Sequence, residues 1–217
     1  IDACLVGSEM CIRDRCETVG ANINDVIYGM GIDPRIGSNY MQPGPGFGGP
    51  CLEKDLMALI ELGNFYHLES TFMKAILKRN ERQVELILDK IISEIKDNGS
   101  LITILGLSFK ANTDDIRNSA SIKLINLLLD KGYKVNSYDP KAKFRLKNEN
   151  YLQFDDLYSA FNKSNCAVIM TEWDDFKNLD FIKISNLMSS NIILDMRNII
   201  EKDNQKLSDF KYYGLGS

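Results

Sequence analysis

The chain has 217 residues, of which 44% are hydrophobic and 26% are charged, so it can bury the core of one large domain or two small ones. Its net charge of −4, with no cluster of Lys and Arg interleaved with aromatic residues, argues against nucleic acid or an anionic membrane as a partner. No apolar run approaches the roughly 20 residues of a membrane span, and the first residues do not resemble a signal peptide. We therefore predict a cytoplasmic location.

The cysteines and the single histidine show neither a metal-ligand spacing nor a disulfide pattern. The cysteines are odd in number, widely spaced and without a CxxC motif, so each is predicted to be a free thiol and no metal site is expected. They are Cys4, Cys11, Cys16, Cys51 and Cys166. For His67, the only histidine, a role at a helix end or in packing is favoured over a catalytic pair.

Helical periodicity dominates the first half of the chain and is interrupted by a loop rich in glycine and proline. The last of these helices is the longest, with apolar residues that recur at steps of three and four and with Ser70 placed as an N-cap. A helix of this length typically spans between domains or subunits. The predicted helices cover residues 16–30, with a break near residues 21–24, then 51–64 and 70–96, and the loop ends at Pro50.

The second half of the chain alternates between strands and helices. "LITILGL" is a continuous apolar run that suits a buried parallel strand, an amphipathic helix follows, and "YKVNSYDP" is a strand stopped by proline. We therefore predict an α/β fold in which the helical segment precedes a Rossmann-like, doubly wound domain with a parallel sheet of about four or five strands. Its strands are predicted at residues 101–107, 133–140, 166–171 and 191–196, and its helical stretches at 119–132, 154–162 and 174–189.

The stretch "GPGFGGPCLEKDL", residues 44–56, places a thiol directly after a glycine-rich turn. Cys51 is predicted to open a helix, where unpaired N–H groups and the helix dipole stabilise an anion such as a thiolate. Asp55 and Lys54 can share the helix face of Cys51. The glycines let the backbone pass close to a bound group, which favours a reactive thiol beside a pocket. A cysteine that only packs at a helix start is the alternative.

The loop "GLSFKANTDDIRNSAS", residues 106–121, follows the first predicted strand, where doubly wound sheets bind ligands. It is not a GxGxxG loop. Phe109, Lys110 and Arg117 offer an aromatic surface and two cations, which suit base stacking and phosphate pairing, and a solvated loop is the alternative. Arg197 follows the last predicted strand and would lie at the same edge. For Asp139, a structural role in an Asp-Pro turn is favoured over contact with a ribose.

Three separated motifs resemble one protein family. They are "RIGSNYMQPGPGFGGPCLEKDLMAL" at 35–59, "GLSFKANTDDIRNSASIKLINLLLDKGYKVNSYDP" at 106–140, and "TEWDDF" at 171–176 with "DMRN" at 195–198. In this order they resemble the UDP-glucose/GDP-mannose dehydrogenases, which use NAD to oxidise a nucleotide sugar to its uronic acid. The resemblance covers about residues 16–217.

The resemblance implies a role for the thiol and its neighbours. Cys51 would be the nucleophile that captures the aldehyde intermediate as a thiohemiacetal and then carries a thioester, and Asp55 would assist proton transfer or orient water. The turn from Cys51 to Lys54 would lie near the nicotinamide of NAD, and Arg117 would reach toward the NAD phosphates.

The resemblance also implies contacts with the substrate and between subunits. Arg35 would reach into the pocket of a neighbouring subunit, and the residues that wrap the sugar would be Gln42, Pro43, Gly44, Pro45, Gly46, Phe47 and Gly48. Phe109, Lys110 and Arg197 would hold the nucleotide sugar. The helix over residues 70–96 resembles the central helix on which these enzymes dimerise, so a homodimer or a higher homo-oligomer is expected.

The sequence departs from the family pattern at three places. Pro50 and Glu53 replace a small residue and a proline, and Glu53 is expected to point outward. Residues 1–15, "IDACLVGSEMCIRDR", stand in place of a family helix but do not resemble it, and we interpret them as translated sequencing adaptor. The GxGxxG domain of the family is not in this sequence, so this chain alone should lack most of an NAD site. We predict units at 1–15, 16–97 and 98–217.

The resemblance leaves several functions open. UDP-glucose is favoured as substrate because the "GFGGxCLxKD" form resembles that branch of the family, with GDP-mannose or a UDP-N-acetylhexosamine as alternatives. A non-catalytic module that binds a nucleotide sugar and dimerises is a second hypothesis. A thiol-redox protein is the third, and it is disfavoured because no resolving cysteine lies near Cys51 in the sequence.

Overall fold

The computed structural model describes residues 2–37, 41–201 and 207–216, with side chains from residue 7 onward. Its first half is helical, as the sequence predicts. The helices are α1 (Asp2–Val19), α2 (Ile23–Gly31), α3 (Leu52–Phe65) and α4 (Thr71–Glu94). The loop rich in glycine and proline connects α2 to α3.

The first predicted helix is longer than expected. A break at residues 20–22 separates α1 from α2, close to the predicted position, and the Asn22 side chain caps α2 by accepting a hydrogen bond from the Asn24 amide at 3.0 Å. The predicted start at Cys16 is wrong, since α1 begins at Asp2. Tertiary contacts explain the difference, because Met10 is fully buried in a cluster with Ile76 of α4.

Helices α3 and α4 begin and end close to the predicted residues. Cys51 is the N-cap residue of α3, and Ser70 precedes α4, although its side chain makes no capping hydrogen bond. His67 has a left-handed φ of 57° just beyond α3, and its amide donates to the Asn64 carbonyl at 3.2 Å. The predicted role of His67 at a helix end is therefore confirmed.

The second half of the chain forms one sheet, in which six described strands run parallel in the order β3-β2-β1-β4-β5-β6. This order confirms the predicted Rossmann-like, doubly wound fold. The elements are β1 (Leu101–Leu105), α5 (Ala120–Asp130), β2 (Lys134–Tyr138), β3 (Tyr151–Phe154), β4 (Cys166–Ile169), α6 (Asp174–Lys177), α7 (Phe181–Leu187), β5 (Ile192–Asp195) and β6 (Lys211–Gly214).

Both edge strands, β3 and β6, were absent from the prediction of four or five strands. Each has only four residues and no continuous apolar run, so its strand state depends on hydrogen bonds from a neighbouring strand. The predicted helix at 154–162 is only a short 3₁₀ turn, Tyr158–Phe161. The predicted helical stretch at 174–189 is split into α6 and α7, where Asp180 caps α7.

The strand order creates the crevice in which a ligand can bind. Leu105 at the end of β1 lies beside Ile169 of β4, which lies beside Asp195 of β5. The loops after these three strands therefore leave the sheet at the same carboxyl edge. Because the strand order reverses between β1 and β4, this edge is the switch point at which doubly wound folds bind ligands.

Helix α4 contributes to the core of the sheet domain. Ile87 and Ile91 of α4 belong to the same buried cluster as Leu124 and Leu128 of α5 and Ile104 of β1. This shared core holds the helical segment against the sheet domain, and it carries the glycine-rich loop to the carboxyl edge of the sheet.

Within residues 2–37, 41–201 and 207–216, no helix is long and apolar enough to cross a membrane, and no group of three or more His, Cys, Asp and Glu could hold a metal ion. Cys11, Cys16, Cys51 and Cys166 are free thiols, as predicted. The side chain of Cys4 lies outside the described part of the chain.

Candidate functional site

A cavity of about 600 Å³ lies between the glycine-rich loop and the carboxyl edge of the sheet. The predicted substrate contacts line it, with the exceptions of Arg35 and Pro45. Its lining residues are Glu9, Gln42, Pro43, Gly44, Gly46, Phe47, Gly48, Leu52, Phe109, Lys110, Glu172, Lys177, Arg197, Asn198 and Ile199. The fold thus brings together residues that are more than 150 positions apart in the sequence.

Pro45 and Arg35 do not line the cavity. Pro45 lies on the opposite side of the loop, beside Asn80 and Asn118. The Arg35 side chain is 88% exposed, and its guanidinium pairs with the Asp33 carboxylate at 2.6 Å. Arg35 therefore does not line the cavity of its own chain, and its predicted contact with the pocket of a neighbouring subunit stays a prediction.

The glycines of the loop make room for other parts of the protein. A Cβ atom at Gly48 would lie 2.6 Å from the Asn118 carbonyl oxygen, and one at Gly49 would lie 2.8 Å from the Phe109 ring. Gly44 lies against the Arg197 guanidinium in the same way, with a Cβ 3.0 Å from Nη1. The prediction assigned these glycines to a bound group, but packing of the loop against the sheet domain already requires them.

Hydrogen bonds hold the loop on both sides. On the α4 side, the Phe47 amide donates to Asn80 Oδ1 at 2.8 Å, and Asn80 Nδ2 donates to the Phe47 carbonyl at 2.9 Å. On the other side, the Gly49 amide donates to the Arg117 carbonyl at 2.9 Å. The prediction missed Asn80, although an asparagine at core spacing between Ile76 and Val84 is an identifiable signal.

Arg197 is held in a defined orientation at the end of β5. Its Nε atom lies 3.1 Å from the Glu172 carboxylate and donates to the Met170 carbonyl at 3.1 Å, and Nη2 donates to the Phe109 carbonyl at 3.4 Å. Burial lowers the pKa of Arg197, and the charge of Glu172 opposes that shift. Since an arginine remains protonated in proteins, this guanidinium provides a fixed positive charge in the cavity wall.

A buried carboxylate shapes the turn that carries Arg197. Asp195 accepts hydrogen bonds from the amides of Arg197, Ile199 and Ile200 at 2.9 to 3.0 Å, and from the Tyr212 hydroxyl at 3.0 Å. Burial raises the pKa of Asp195, and these hydrogen bonds oppose the shift. The role of Asp195 was not predicted, because its hydrogen-bond donors come from the following turn and from Tyr212 on β6.

Asp139 has the structural role that the sequence favoured. Its carboxylate accepts hydrogen bonds from the amides of Leu107 and Ala142 at 2.7 Å each, and from Trp173 Nε1 at 3.3 Å. These bonds fasten the loop after β1 to the turn after β2. Because the Asp139 carboxylate is buried and already accepts these hydrogen bonds, it supports the shape of the site. The predicted structural role of Asp139 in the Asp-Pro turn is therefore confirmed.

Phe109 and Lys110 form the rim of the cavity, with Lys110 Nζ 5.5 Å from the centre of the Phe109 ring. Glu172 and Lys177, which the prediction missed as cavity residues, also line the cavity. Glu172 Oε1 accepts a hydrogen bond from the Ala111 amide at 3.3 Å. A charged residue just after a buried strand is a signal that could have identified Glu172.

Cys51 is exposed at the start of α3, next to Leu52, which lines the cavity. The pKa of Arg117 is raised, first by its hydrogen bond to Asp115. The Arg117 carbonyl accepts a hydrogen bond from the Gly49 amide at 2.9 Å, so this residue lies beside the turn that leads to Cys51. Lys54 Nζ lies 3.6 Å from the Asp55 carboxylate, so these two predicted residues pair with each other on the same exposed turn.

Glu53 points away from the cavity, as expected, but not into solvent. Its side chain is 27% exposed and lies against α5, where Lys123 Nζ is 3.8 Å from the Glu53 carboxylate. The start of α3 packs beside α5, and an opposite charge is available there. Glu53 is not among the residues that line the cavity.

The doubly wound sheet carries an aromatic ring and two cations at its carboxyl edge, and a glycine-rich loop that leads to a thiol covers this edge. This arrangement defines an α/β protein of the nucleotide-binding class. Residues 9–82 match the central domain of the UDP-glucose/GDP-mannose dehydrogenase family, and residues 103–202 match the UDP binding domain of the same family. The chain belongs to the UDP-glucose/GDP-mannose dehydrogenase family.

Individual relatives agree with this assignment. The chain is 40% identical over 212 residues to the UDP-glucose 6-dehydrogenase of Rickettsia conorii, and the match covers 95% of this chain and 49% of that protein. It is 36% identical to the enzyme of the same name from Rhizobium meliloti, over 94% of this chain and 48% of the relative. The chain therefore spans about half the length of these relatives.

Solved structures show the same likeness. The UDP-glucose dehydrogenase of Pyrobaculum islandicum superposes with a TM-score of 0.82 at 27% identity, covering 99% of this chain and 48% of that one. The UDP-D-ManNAc dehydrogenase of Pyrococcus horikoshii superposes with a TM-score of 0.83 at 25% identity, covering 99% of this chain and 49% of that one. The two matched family ranges end at residue 82 and begin again at residue 103, and the predicted boundary near residue 98 lies between them. The central-domain match begins at residue 9, within residues 1–15, which we interpreted as translated sequencing adaptor.

Proposed function

We propose that this chain is the substrate-binding half of an NAD-dependent dehydrogenase that oxidises UDP-glucose to UDP-glucuronate. The observation that carries the proposal is the cavity in which Phe109, Lys110 and Arg197 face the loop over residues 42–48. The Phe109 ring suits stacking on a base, and the two cations suit a diphosphate. Relatives named UDP-glucose 6-dehydrogenase support the choice of substrate.

In this function Cys51 is the nucleophile. Its thiolate adds to the aldehyde carbon of the oxidised sugar, so a carbon–sulfur bond forms and the carbonyl oxygen takes a proton, giving a thiohemiacetal. Loss of a hydride from that carbon, together with the proton of its hydroxyl group, gives a thioester. Water then breaks the carbon–sulfur bond, which releases the acid and regenerates the thiol. Asp55 assists the proton transfers or orients the water.

The groups that this chain offers fit part of an NAD site. NAD, when bound, would accept the two hydrides of the reaction. The side chain of Arg117 is 68% exposed and is oriented by a pair with Asp115 at 2.6 Å. Its backbone carbonyl accepts a hydrogen bond from the Gly49 amide, two residues before Cys51, so a phosphate of a dinucleotide could be bound beside the thiol. Arg117 and the turn from Cys51 to Lys54 would contribute to the site, and the rest would come from a dinucleotide-binding domain.

Two alternatives have specific support. A module that binds a nucleotide sugar and dimerises without catalysis would use the same cavity, which lies within this chain. A UDP-N-acetylhexosamine or GDP-mannose would fit the likeness to the UDP-D-ManNAc dehydrogenase structure and to the GDP-mannose dehydrogenase of Pseudomonas aeruginosa, which has a TM-score of 0.66 at 25% identity and covers 97% of this chain and 49% of that one.

Isothermal titration of the purified chain with UDP-glucose, UDP-N-acetylmannosamine and GDP-mannose tests the proposal. We expect the chain to bind a nucleotide sugar, because the loop and the cations form one cavity within this chain. UDP-glucose should bind most tightly of the three, in agreement with the relatives named UDP-glucose 6-dehydrogenase. Tightest binding of GDP-mannose would overturn the choice of substrate, and no binding of any nucleotide sugar would overturn the proposed site. NADH formation by this chain with UDP-glucose and NAD would exclude the non-catalytic module.

We also propose that the chain forms a homodimer. The sequence placed the contact on the helix over residues 70–96, but five apolar side chains of α4 (Ile76, Val84, Ile87, Leu88 and Ile91) are buried within the chain. The exposed apolar surface lies mainly on α3 and extends to the start of α4. Its members, each 48% to 76% exposed, are Met57, Leu59, Leu62, Phe65, Tyr66, Leu68 and Phe72. Several large apolar side chains exposed on neighbouring elements are typical of a protein interface.

Light scattering after size-exclusion chromatography checks the dimer. We expect twice the 24.6 kDa mass of one chain. Phe65→Glu should give the mass of one chain, because a charge would be buried in the contact. Ile182→Glu on α7, which is 65% exposed and lies in the other half of the chain, is the matched control and should leave the dimer intact. A wild-type protein with the mass of one chain at micromolar concentration would contradict the proposal.

The cytoplasmic location stays a prediction.

A further inference from the structure

An asparagine occupies a core position in the middle of α4. Asn80 is only 6% exposed and follows the spacing of Ile76 and Val84, both of which are buried apolar residues. Asparagine is unfavourable inside a helix, and a buried amide is costly unless its donor and acceptor both find partners. The packing of the helix does not require a polar group here, so the position needs another explanation.

The Asn80 side-chain amide pairs with the backbone of one residue of the glycine-rich loop, Phe47, through both of its polar atoms. Oδ1 accepts from the Phe47 amide at 2.8 Å, and Nδ2 donates to the Phe47 carbonyl at 2.9 Å. This pairing substitutes for the partners that a strand or helix would supply to residue 47. It therefore fixes the orientation of a backbone segment that has no regular secondary structure.

The residue before Phe47 is shaped to admit this amide. Gly46 has a φ of +105°, and a Cβ atom there would lie 2.6 Å from Asn80 Oδ1. Only glycine combines this backbone conformation with the close approach of the amide. Phe47 and Gly48, which follow directly, line the cavity. The contact between Asn80 of α4 and the loop therefore fixes the position of the loop residues that line the cavity.

We propose that Asn80 is a positioning residue for the substrate cavity. Its side chain holds the loop over residues 44–48 in the conformation that receives the nucleotide sugar. This inference rests on the proposed function. Without the amide, the loop would adopt several conformations, and only the fraction in the binding conformation would take up ligand. Apparent affinity falls in proportion to that fraction, so a loop that is competent about one-tenth of the time would bind about tenfold more weakly.

Asn80→Ala is the test, with two readouts on the whole chain. The first is hydrogen–deuterium exchange at Phe47, which should become at least about tenfold faster because its amide loses its acceptor, while exchange in the sheet stays unchanged. The second is the dissociation constant for UDP-glucose, which should rise about tenfold. Ile91→Val is the matched control, because it removes a buried methylene group from the same helix far from the loop.

The outcomes separate positioning from general stability. Ile91→Val and Asn80→Ala are compared when they lower the melting temperature by a similar amount. If Ile91→Val then accelerates exchange at Phe47, or weakens UDP-glucose binding, as much as Asn80→Ala does, the proposal is overturned. Unchanged exchange at Phe47 in Asn80→Ala also overturns it. If the wild-type chain binds no nucleotide sugar, the proposed function fails, and the exchange comparison still decides whether Asn80 positions the loop.

A second variant covers the case in which Asn80→Ala does not fold. Asn80→Asp keeps an acceptor for the Phe47 amide and removes the donor to the Phe47 carbonyl. We expect exchange in the loop to be faster than in the wild type, with UDP-glucose affinity reduced severalfold. Wild-type exchange and affinity in Asn80→Asp would overturn the proposal.

Discussion

Cys51→Ser is expected to lower NADH formation at least about a thousandfold in a dehydrogenase that joins this chain to a dinucleotide-binding domain. The hydroxyl of serine is a much weaker nucleophile at neutral pH than a thiolate, so the aldehyde would not be captured. Since Cys51 is exposed, the change should leave the fold intact. The initial rate of NADH production with saturating UDP-glucose measures the effect, and the melting temperature checks the fold.

Cys166→Ala is the matched control for this substitution. Cys166 is completely buried in the sheet, and burial raises the pKa of its thiol, which makes it unreactive. The control should retain NADH formation. A Cys51→Ser enzyme as active as the control would remove Cys51 from the mechanism.

In the chain alone, iodoacetamide should modify Cys51 and leave Cys166 unmodified until the protein unfolds, as mass spectrometry of the labelled peptides would show. Equal modification of the two thiols would argue against a reactive role for Cys51, including the thiol-redox alternative.

Arg197→Ala is expected to weaken UDP-glucose binding by about 10- to 100-fold. A hydrogen bond to a charged group contributes about 1.5–3 kcal/mol, and each 1.4 kcal/mol is a factor of about ten in affinity. The substitution also leaves the Glu172 carboxylate, now 3.1 Å from Arg197 Nε, without its partner in the cavity wall. Its uncompensated negative charge would then oppose the phosphates. Isothermal titration of the chain measures the change.

A second substitution separates these two effects. Arg197→Ala combined with Glu172→Gln removes the uncompensated charge, so it should recover part of the lost affinity. Lys141→Ala, which removes an exposed cation 5.7 Å from the Trp173 ring, outside the cavity lining, is the control for net charge and should bind UDP-glucose as the wild type does. Wild-type affinity in Arg197→Ala would contradict the assignment of the cavity.

Much of the site follows from patterns that are local in the sequence. The alternation of apolar runs with amphipathic helices predicts a parallel sheet, and in such a sheet residues that follow strands meet at one edge. Phe109, Lys110 and Arg197 could be grouped on that ground alone. The glycine-rich stretch before Cys51 likewise predicts a loop that approaches another surface closely.

Other parts of the site depend on partners that are distant in the sequence. Asn80 is one polar residue in a helical pattern, and only the folded chain shows that it meets Phe47. Glu172 acquires its role because Arg197 comes from the next strand of the sheet. The edge strands β3 and β6 are strands because a neighbour supplies hydrogen bonds, and α1 extends to Asp2 because α4 buries one of its faces.

The sequence by itself determined the type of fold, the edge at which a ligand would bind, and the thiol at a helix start, since each depends on residues a few positions apart. The tertiary structure alone decided which side chains hold the loop, which face of the helical segment stays exposed, and which carboxylate meets Arg197. These features require close contacts between segments that are distant in the sequence. The periodicity and propensities of one segment do not indicate which residues of another segment it will contact.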